Sequence, residues 1–164
     1  MASKLVYLSL GSNVGDRDQY LAEALQRLEQ SGVHITARSS VYETEPQDLK
    51  DQPWFLNMVV ACETRYFPMQ LLNTLQGIER DLGRLRGPGQ IRRGPRPIDI
   101  DILLFANAVI DTPQLTVPHP RMLDRRFVLE PLLEIAPHLK LPYSTQPLRS
   151  YLPAVAMQRV KKWS

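Results

Sequence analysis

The stretch Arg92-Arg93-Gly94-Pro95-Arg96-Pro97-Ile98-Asp99-Ile100-Asp101-Ile102-Leu103-Leu104-Phe105 decides what kind of sheet this chain builds. A Gly-Pro turn leads into an apolar run interrupted by two aspartates at alternate positions. A strand sends residues i and i+2 to one face, so Asp99 and Asp101 point the same way. At a rise of about 3.3 Å per residue their Cα atoms stand roughly 6–7 Å apart. Ile98, Ile100 and Ile102 then face a core on the other side. Paired carboxylates repel one another unless a cation or a proton relieves them. Arginines next to such a pair suggest that a polyanion arrives together with the cation, and magnesium with a nucleoside triphosphate satisfies both requirements.

The arginines extend backwards from that strand. Six lie from Arg80 to Arg96 and outnumber the acids Asp81 and Asp99, and Arg121, Arg125 and Arg126 follow later. Arginine rather than lysine favours planar, bidentate contacts to phosphate. From Gly83 to Pro97 the composition is Gly, Pro and Arg, which predicts an irregular loop long enough to be functional. Pro68 opens a helix upstream, with Leu71, Leu72, Leu75, Ile78 and Leu82 on its buried face. Gln76, Glu79, Arg80 and Arg84 fall off that face, towards solvent or a ligand.

Towards the N-terminus, Leu5–Leu10 reads as a first strand ending in the turn-rich Gly11–Arg17. That loop is unlike a true phosphate-binding loop, because no Gly-Lys-Ser/Thr follows it. Tyr20–Leu28 has helical spacing, and Asp16 or Asp18 is suited to cap it. Val33–Tyr42 and Trp54–Thr64 are strand-like. Between them lies the polar, proline-punctuated segment from Glu43 to Pro53. After the aspartate strand, Ala106-Asn107 is expected to turn the chain back into a hairpin with Ala108-Val109-Ile110. Phe127–Ile135 is a helix that Pro131 should break or shorten. A weak helix is expected around Leu148–Leu152. The order β-α-β-β-α-β with an added hairpin predicts an α+β arrangement: one mainly antiparallel sheet flanked by helices.

The 164 residues form one expected domain, 1–164, long enough to bury a core. No signal-peptide pattern or membrane-length apolar run is found, and Cys62 stands alone in an apolar run. These features exclude a disulfide framework and predict a cytoplasmic protein with one inert thiol and no membrane partner.

In order along the chain, six motifs carry a resemblance. They are Leu10-Gly11-Ser12-Asn13; Tyr42-Glu43-Thr44-Glu45-Pro46; Asp51-Gln52-Pro53 with Phe55-Leu56-Asn57; Glu79 with Leu82-Gly83-Arg84; Gly94-Pro95-Arg96 with Asp99-Ile100-Asp101; and Val117-Pro118-His119-Pro120-Arg121. Together they resemble the 6-hydroxymethyl-7,8-dihydropterin pyrophosphokinase family from Leu5 to about Pro137. The resemblance implies a ferredoxin-like βαββαβ core. It also implies transfer of pyrophosphate from ATP to the pterin's hydroxymethyl group, with release of AMP, a diphosphotransferase step of folate biosynthesis.

The same resemblance distributes roles. Asp99 and Asp101 would hold two Mg²⁺ ions that bridge to ATP, the co-substrate; with Arg84 and Arg96 they form the implied catalytic set. Phe55 and Phe127 would sandwich the pterin, although by residue type alone both read as core packing. Asn57 would meet the ring's edge, with Thr44, Pro46 and Asp99 completing the pterin site. Gln76, Glu79, Arg84, Arg86, Arg92, Arg96, Thr116, His119 and Arg125 would contact ATP, and Ile102 would meet adenine through its backbone. Arg93, Gln114 and Pro120 depart from residues found in some members, so a possible aromatic lid and one phosphate contact are missing. The Thr44–Gln52 and Gly83–Pro95 loops are expected to close over ligand. The expected partners are the two small substrates, with no nucleic acid, and the expected state is a monomer. The alternative is a small arginine-rich RNA-binding module, which leaves Asp99 and Asp101 unexplained. A metal-dependent phosphohydrolase would need more His and Asp ligands than the chain supplies.

Overall fold

A computed structural model describes residues 2–83 and 97–164. Strand β1 (Lys4–Ser12) is followed by helix α1 (Arg17–Gln30). Asp16 caps the helix, its Oδ1 accepting from the Gln19 N–H at 3.1 Å. Such a cap stabilises a helix by about 1 kcal/mol. The predicted Val33–Tyr42 strand divides into β2 (Val33–Arg38) and β3 (Tyr42–Thr44). At the break, buried Ser39 takes over from the ladder: its N–H reaches the Val59 carbonyl, and its hydroxyl accepts from the Val59 N–H. Next come β4 (Phe55–Thr64), α2 (Pro68–Leu82) and β5 (Asp99–Phe105).

The sheet order is β5-β1-β4-β3, with β2 beside the other half of β4 and every pairing antiparallel. This is the α+β, ferredoxin-like arrangement expected from the sequence. One difference lies beyond β5. Its continuation does not fold back as a hairpin partner: β6 (Ile110–Asp111) pairs instead with β7 (Thr116–Val117) in a separate ribbon. Ala106, at φ 47°, turns the chain away, and its N–H bonds to the Leu5 carbonyl across the sheet. Helix α3 (Arg126–Ile135) is short, as expected, and runs unbroken through Pro131. Short 3-10 turns at Leu148–Tyr151 and Pro153–Val155 stand where one weak helix was expected. A strand unforeseen in the sequence, β8 (Val160–Lys162), then pairs with β3.

The two faces of the sheet differ. Val6, Leu8, Leu10, Leu56, Met58, Val60, Ile98, Ile100 and Ile102 pack with α1 and α2 in one continuous core. On the opposite face Tyr7, Val59 and Leu103 pack beneath α3. Continuing by twos along the same strands gives Ser9, Gly11, Asn57, Phe55, Asp101 and Asp99, all of which line a cleft. No helix among the described residues is long and apolar enough to cross a membrane.

Candidate active site

The cleft opens over the end of that second face. Its walls come from β1, the segment after β3, β4, β5 and the start of α3. At one end lies Asn57, 4% exposed, at its register position opposite Gly11. The Thr44 hydroxyl, also buried, donates to Asn57 Oδ1 at 2.5 Å. Asn57 Nδ2 faces the Leu10 carbonyl at 3.5 Å. A carbonyl can only accept, so this contact fixes which way round the amide lies. One amide N–H and one oxygen lone pair are left for the cleft. Phe55 and Phe127, half-buried, line the same space, and Phe127 also packs against the core beneath α3.

At the other end are Asp99 and Asp101, half-buried on one face, with their isoleucine neighbours 4% exposed or less on the other. Glu79 reaches β5 from α2, and its Oε2 accepts from the Ile100 N–H at 2.8 Å. Burial, with Asp99 and Asp101 nearby, holds its carboxyl well above the usual carboxylate range despite that hydrogen bond. Three acids thus converge where β5 begins. Arg125 faces them, its guanidinium 5.3 Å from the Phe127 ring centroid, and its buried Nε has no hydrogen-bond partner among the described residues. Burial, and Arg121 beside it, pull the Arg125 pKa down, while Asp101, Asp48 and Asp99 push it up.

His119 is held beside this group. Its N–H bonds to the Leu103 carbonyl, and its Nδ1 accepts from the Arg121 backbone N–H at 3.1 Å. An acceptor Nδ1 places the ring proton on Nε2. Burial, then Arg125 close by, push its pKa down to about 4. The imidazole is therefore neutral at physiological pH, with one N–H to offer.

Of the residues predicted from sequence, Thr44, Pro46, Phe55, Asn57, Asp99, Asp101, Arg125 and Phe127 line this one cleft. Glu79 does not line it and instead meets the outer edge of β5 at Ile100, near Asp99 and Asp101. Thr116 is half-buried in β7, Gln76 lies exposed on α2, and the Ile102 side chain is buried in the core. The Ile100 N–H turns to the outer edge of β5, and Ile102, two residues on, presents its backbone to that same edge. Arg84, Arg86, Arg92 and Arg96, with Arg93 and most of the predicted Gly83–Pro95 loop, lie outside the described residues.

Ser9, Gly11, Glu45, Gln47, Asp48 and Gln52 line the cleft without having been assigned a role. The period of two from Gly11 could have found Ser9. Gln52 belongs to the Asp51-Gln52-Pro53 motif and anchors it: its side-chain oxygen accepts from Asn13 Nδ2 at 2.7 Å, and Asn13 also reaches the Pro53 carbonyl. The Gly11–Arg17 turn therefore holds the loop after β3. Arg17 adds bonds to Glu43 and to the Trp54 carbonyl. Asp48 closes the loop's other side on Arg121 at 3.0 Å, with Arg125 at 4.0 Å. Those partners lie more than seventy residues away, beyond any local signal.

The model of the 7,8-dihydro-6-hydroxymethylpterin-pyrophosphokinase family matches residues 7–137. The chain belongs to that family. A Bacillus subtilis member, 2-amino-4-hydroxy-6-hydroxymethyldihydropteridine pyrophosphokinase, is 50% identical over 134 residues, covering 81% of this chain and 78% of the relative. The folic acid synthesis protein fol1 of Schizosaccharomyces pombe is 42% identical over 163 residues, covering 99% of this chain but 22% of that much longer protein. Among solved structures, Plasmodium falciparum HPPK-DHPS with pterin and p-hydroxybenzoate superposes with a TM-score of 0.71 at 16% identity, covering 94% of this chain and 42% of the other. This last likeness concerns the fold. The chain thus spans about a fifth of the yeast relative and less than half of the Plasmodium chain, but most of the bacterial pyrophosphokinase.

Asp99 and Asp101 are the only acids that β5 presents to the cleft, and no group of three or more potential metal-ligating side chains occurs among the described residues. Two carboxylates at the mouth of a cleft fit Mg²⁺, which keeps several waters and shares its shell with substrate phosphates. They would not fit an ion that requires an all-protein cage.

Proposed function

We propose that this chain transfers the pyrophosphoryl group of ATP to the hydroxymethyl oxygen of 6-hydroxymethyl-7,8-dihydropterin. Family membership supports this reading, and one structural observation carries it. The Asn57 amide, with one donor and one acceptor to spare, shares a cleft with two aromatic rings and, at its far end, with Asp99, Asp101 and Arg125. A flat bicycle with an amide-like edge fits between the rings. Its hydroxymethyl arm then points at the acids.

In the reaction, the alcohol oxygen forms a bond to the β-phosphorus of ATP while the bond from that phosphorus to the α–β bridging oxygen breaks. The electron pair leaves on AMP, and the alcohol proton passes to solvent. Asp99 and Asp101 would hold two Mg²⁺ ions, which supply charge neutralisation on the phosphates. Arg125, whose buried Nε has no hydrogen-bond partner among the described residues, would donate to a phosphate oxygen, and the neutral His119 would donate through Nε2–H. Arg84, Arg86, Arg92 and Arg96 are proposed to join the triphosphate, with Arg84 and Arg96 near the reacting bond. Thr44 and Pro46 complete the pterin edge through their main chain. Gln76, Glu79, Thr116 and the Ile102 backbone are proposed along the nucleotide. Phosphoryl-type transfer depends mainly on positioning and electrostatics, so no protein nucleophile is assigned.

The cleft is built within one chain, so a monomer suffices, and the lone buried Cys62 suits the cytoplasm. The decisive assay incubates the protein with ATP, Mg²⁺ and the dihydropterin. AMP and a diphosphorylated pterin are expected; ADP, or nucleotide loss independent of the pterin, refutes the reading.

A further inference from the structure

Three strands meet in one row on the floor of the cleft: Gly11 on β1 is the register partner of both Asn57 on β4 and Asp99 on β5. Gly11 stands between the residue assigned to the pterin edge and the residue assigned to the metal. Its backbone does not call for glycine, since its φ lies outside the left-handed region that Gly15 and Gly32 occupy. What calls for glycine is space. A Cβ built on Gly11 would lie 2.5 Å from Asn57 Nδ2, nearer than real Cβ atoms come, and 3.5 Å from Phe55 Cδ2. The amide has no easy retreat. Thr44 holds its oxygen from one side, the Leu10 carbonyl faces its nitrogen, and Asn57 and Thr44 are both almost fully buried.

We infer that Gly11 is a positioning residue for the pterin: its missing side chain lets the Asn57 amide lean across the strand and present its free donor and acceptor to the ring edge. A methyl group here would tilt the amide and misalign the edge without touching the nucleotide side. The inference rests on the pterin reading of the cleft and adds to it a residue that makes the geometry possible.

The test is a double-mutant cycle of Gly11→Ala and Asn57→Ala, with the dihydropterin Kd from fluorescence titration, KM for ATP from AMP release, and Tm for each protein. Gly11→Ala should weaken pterin binding by at least roughly fivefold and leave KM for ATP within about twofold. In the Asn57→Ala background the clash is gone, so adding Gly11→Ala should change pterin Kd by less than about twofold and leave Tm unmoved. A smaller loss in the single variant overturns the inference, as do two effects that simply multiply. Should Gly11→Ala fail to fold, a folded double variant supports the inference; a double variant that also fails shows that the sheet itself demands glycine and overturns it. A wild-type protein that releases no AMP on adding the pterin refutes the functional reading instead, a result distinct from an active enzyme with independent effects at the two positions.

Discussion

Acid should weaken this fold through His119. Burial beside Arg125 holds its pKa near 4, against an ordinary 6.5. Between those values the unfolded chain binds a proton that the folded chain refuses. Stability therefore rises with pH across that window. The contribution is present in full above pH 6.5 and is lost as the pH falls towards 4. The gap corresponds to about 3 kcal/mol at 1.36 kcal/mol per pKa unit. His119 keeps part of its surface in water, and screening there reduces the figure to about 1.5–2 kcal/mol. The matched control is His119→Asn, whose side-chain oxygen can still accept from the Arg121 N–H but does not titrate. Urea unfolding of both proteins at half-unit steps from pH 7.5 to 4.5 cancels the carboxylates they share. Wild type should lose about 1.5–2 kcal/mol more than the variant over that range. His34 and His138 are common to both proteins and drop out of the comparison. Parallel stability curves would refute the argument, because they would mean that His119 takes up its proton in the folded state as readily as in the unfolded one.

Asp99→Ala and Asp101→Ala should each cut pterin-dependent AMP release by roughly a hundredfold or more with an unchanged circular dichroism spectrum; full activity in either removes that residue from the metal site. Thr44→Val keeps shape and deletes the buried donor to Asn57 Oδ1. It should cost about 1–3 kcal/mol in urea unfolding and weaken pterin binding, so a variant equal to wild type in both shows the bond to be dispensable. Asp48→Asn removes the carboxylate that pairs with Arg121 and lies near Arg125. Nucleotide then meets less competition for those guanidinium groups. Affinity for tripolyphosphate should rise about two- to fivefold, the scale of a half-exposed ion pair, and the gain should shrink at high salt. An unchanged affinity means that the pair and the polyanion do not compete.

The alternation Ile98-Asp99-Ile100-Asp101-Ile102 predicted both the strand and its two faces, because period two is a local property of extended backbone. Helix α2 was equally legible from Pro68 and its leucine spacing. What stayed hidden depends on distant partners. The hairpin expected after Ala106 required β5 to pair with its own continuation, but Ala106 turns the chain away, β6 pairs with β7, and the outer edge of β5 is met by Glu79 instead. Strand β8 looks like a charged tail. It becomes a strand because β3 leaves an edge open to it, and the adjoining Trp163 packs under Arg17 with the ring centroid 5.2 Å away. In the site, Asn57 and Phe55 read as plain strand residues until the family resemblance assigns them a ligand. Asp48 gave no sign at all, since only the fold brings it to Arg121.

The position of the cleft follows from how far α3 reaches. Strands β4, β1 and β5 each have one face with an unbroken apolar run and one face that changes character part-way along. On β4 the second face runs from Val59, beneath α3, to Asn57 and Phe55; on β1 it runs from Tyr7 to Ser9 and Gly11; on β5 it runs from Leu103 to Asp101 and Asp99. The apolar positions give way within one register row of each other: Val59 lies opposite Ser9, and Ser9 opposite Asp101, so β4 stays apolar one row further than its two companions. Polar groups beyond that line are acceptable for two separate reasons. Asn57 is buried, but Thr44 answers its oxygen. Asp99 and Asp101 remain half-exposed, where water can solvate charge that burial would make costly. The uninterrupted core on the opposite face, from Val6 to Ile102, keeps the three strands in register beneath the site. Lengthening α3 by a turn at its Arg126 end would have to push Arg125 and Phe127 off the cleft wall. The helix start and the site are therefore a single structural choice, and the arginine placed there serves the cleft and begins the helix.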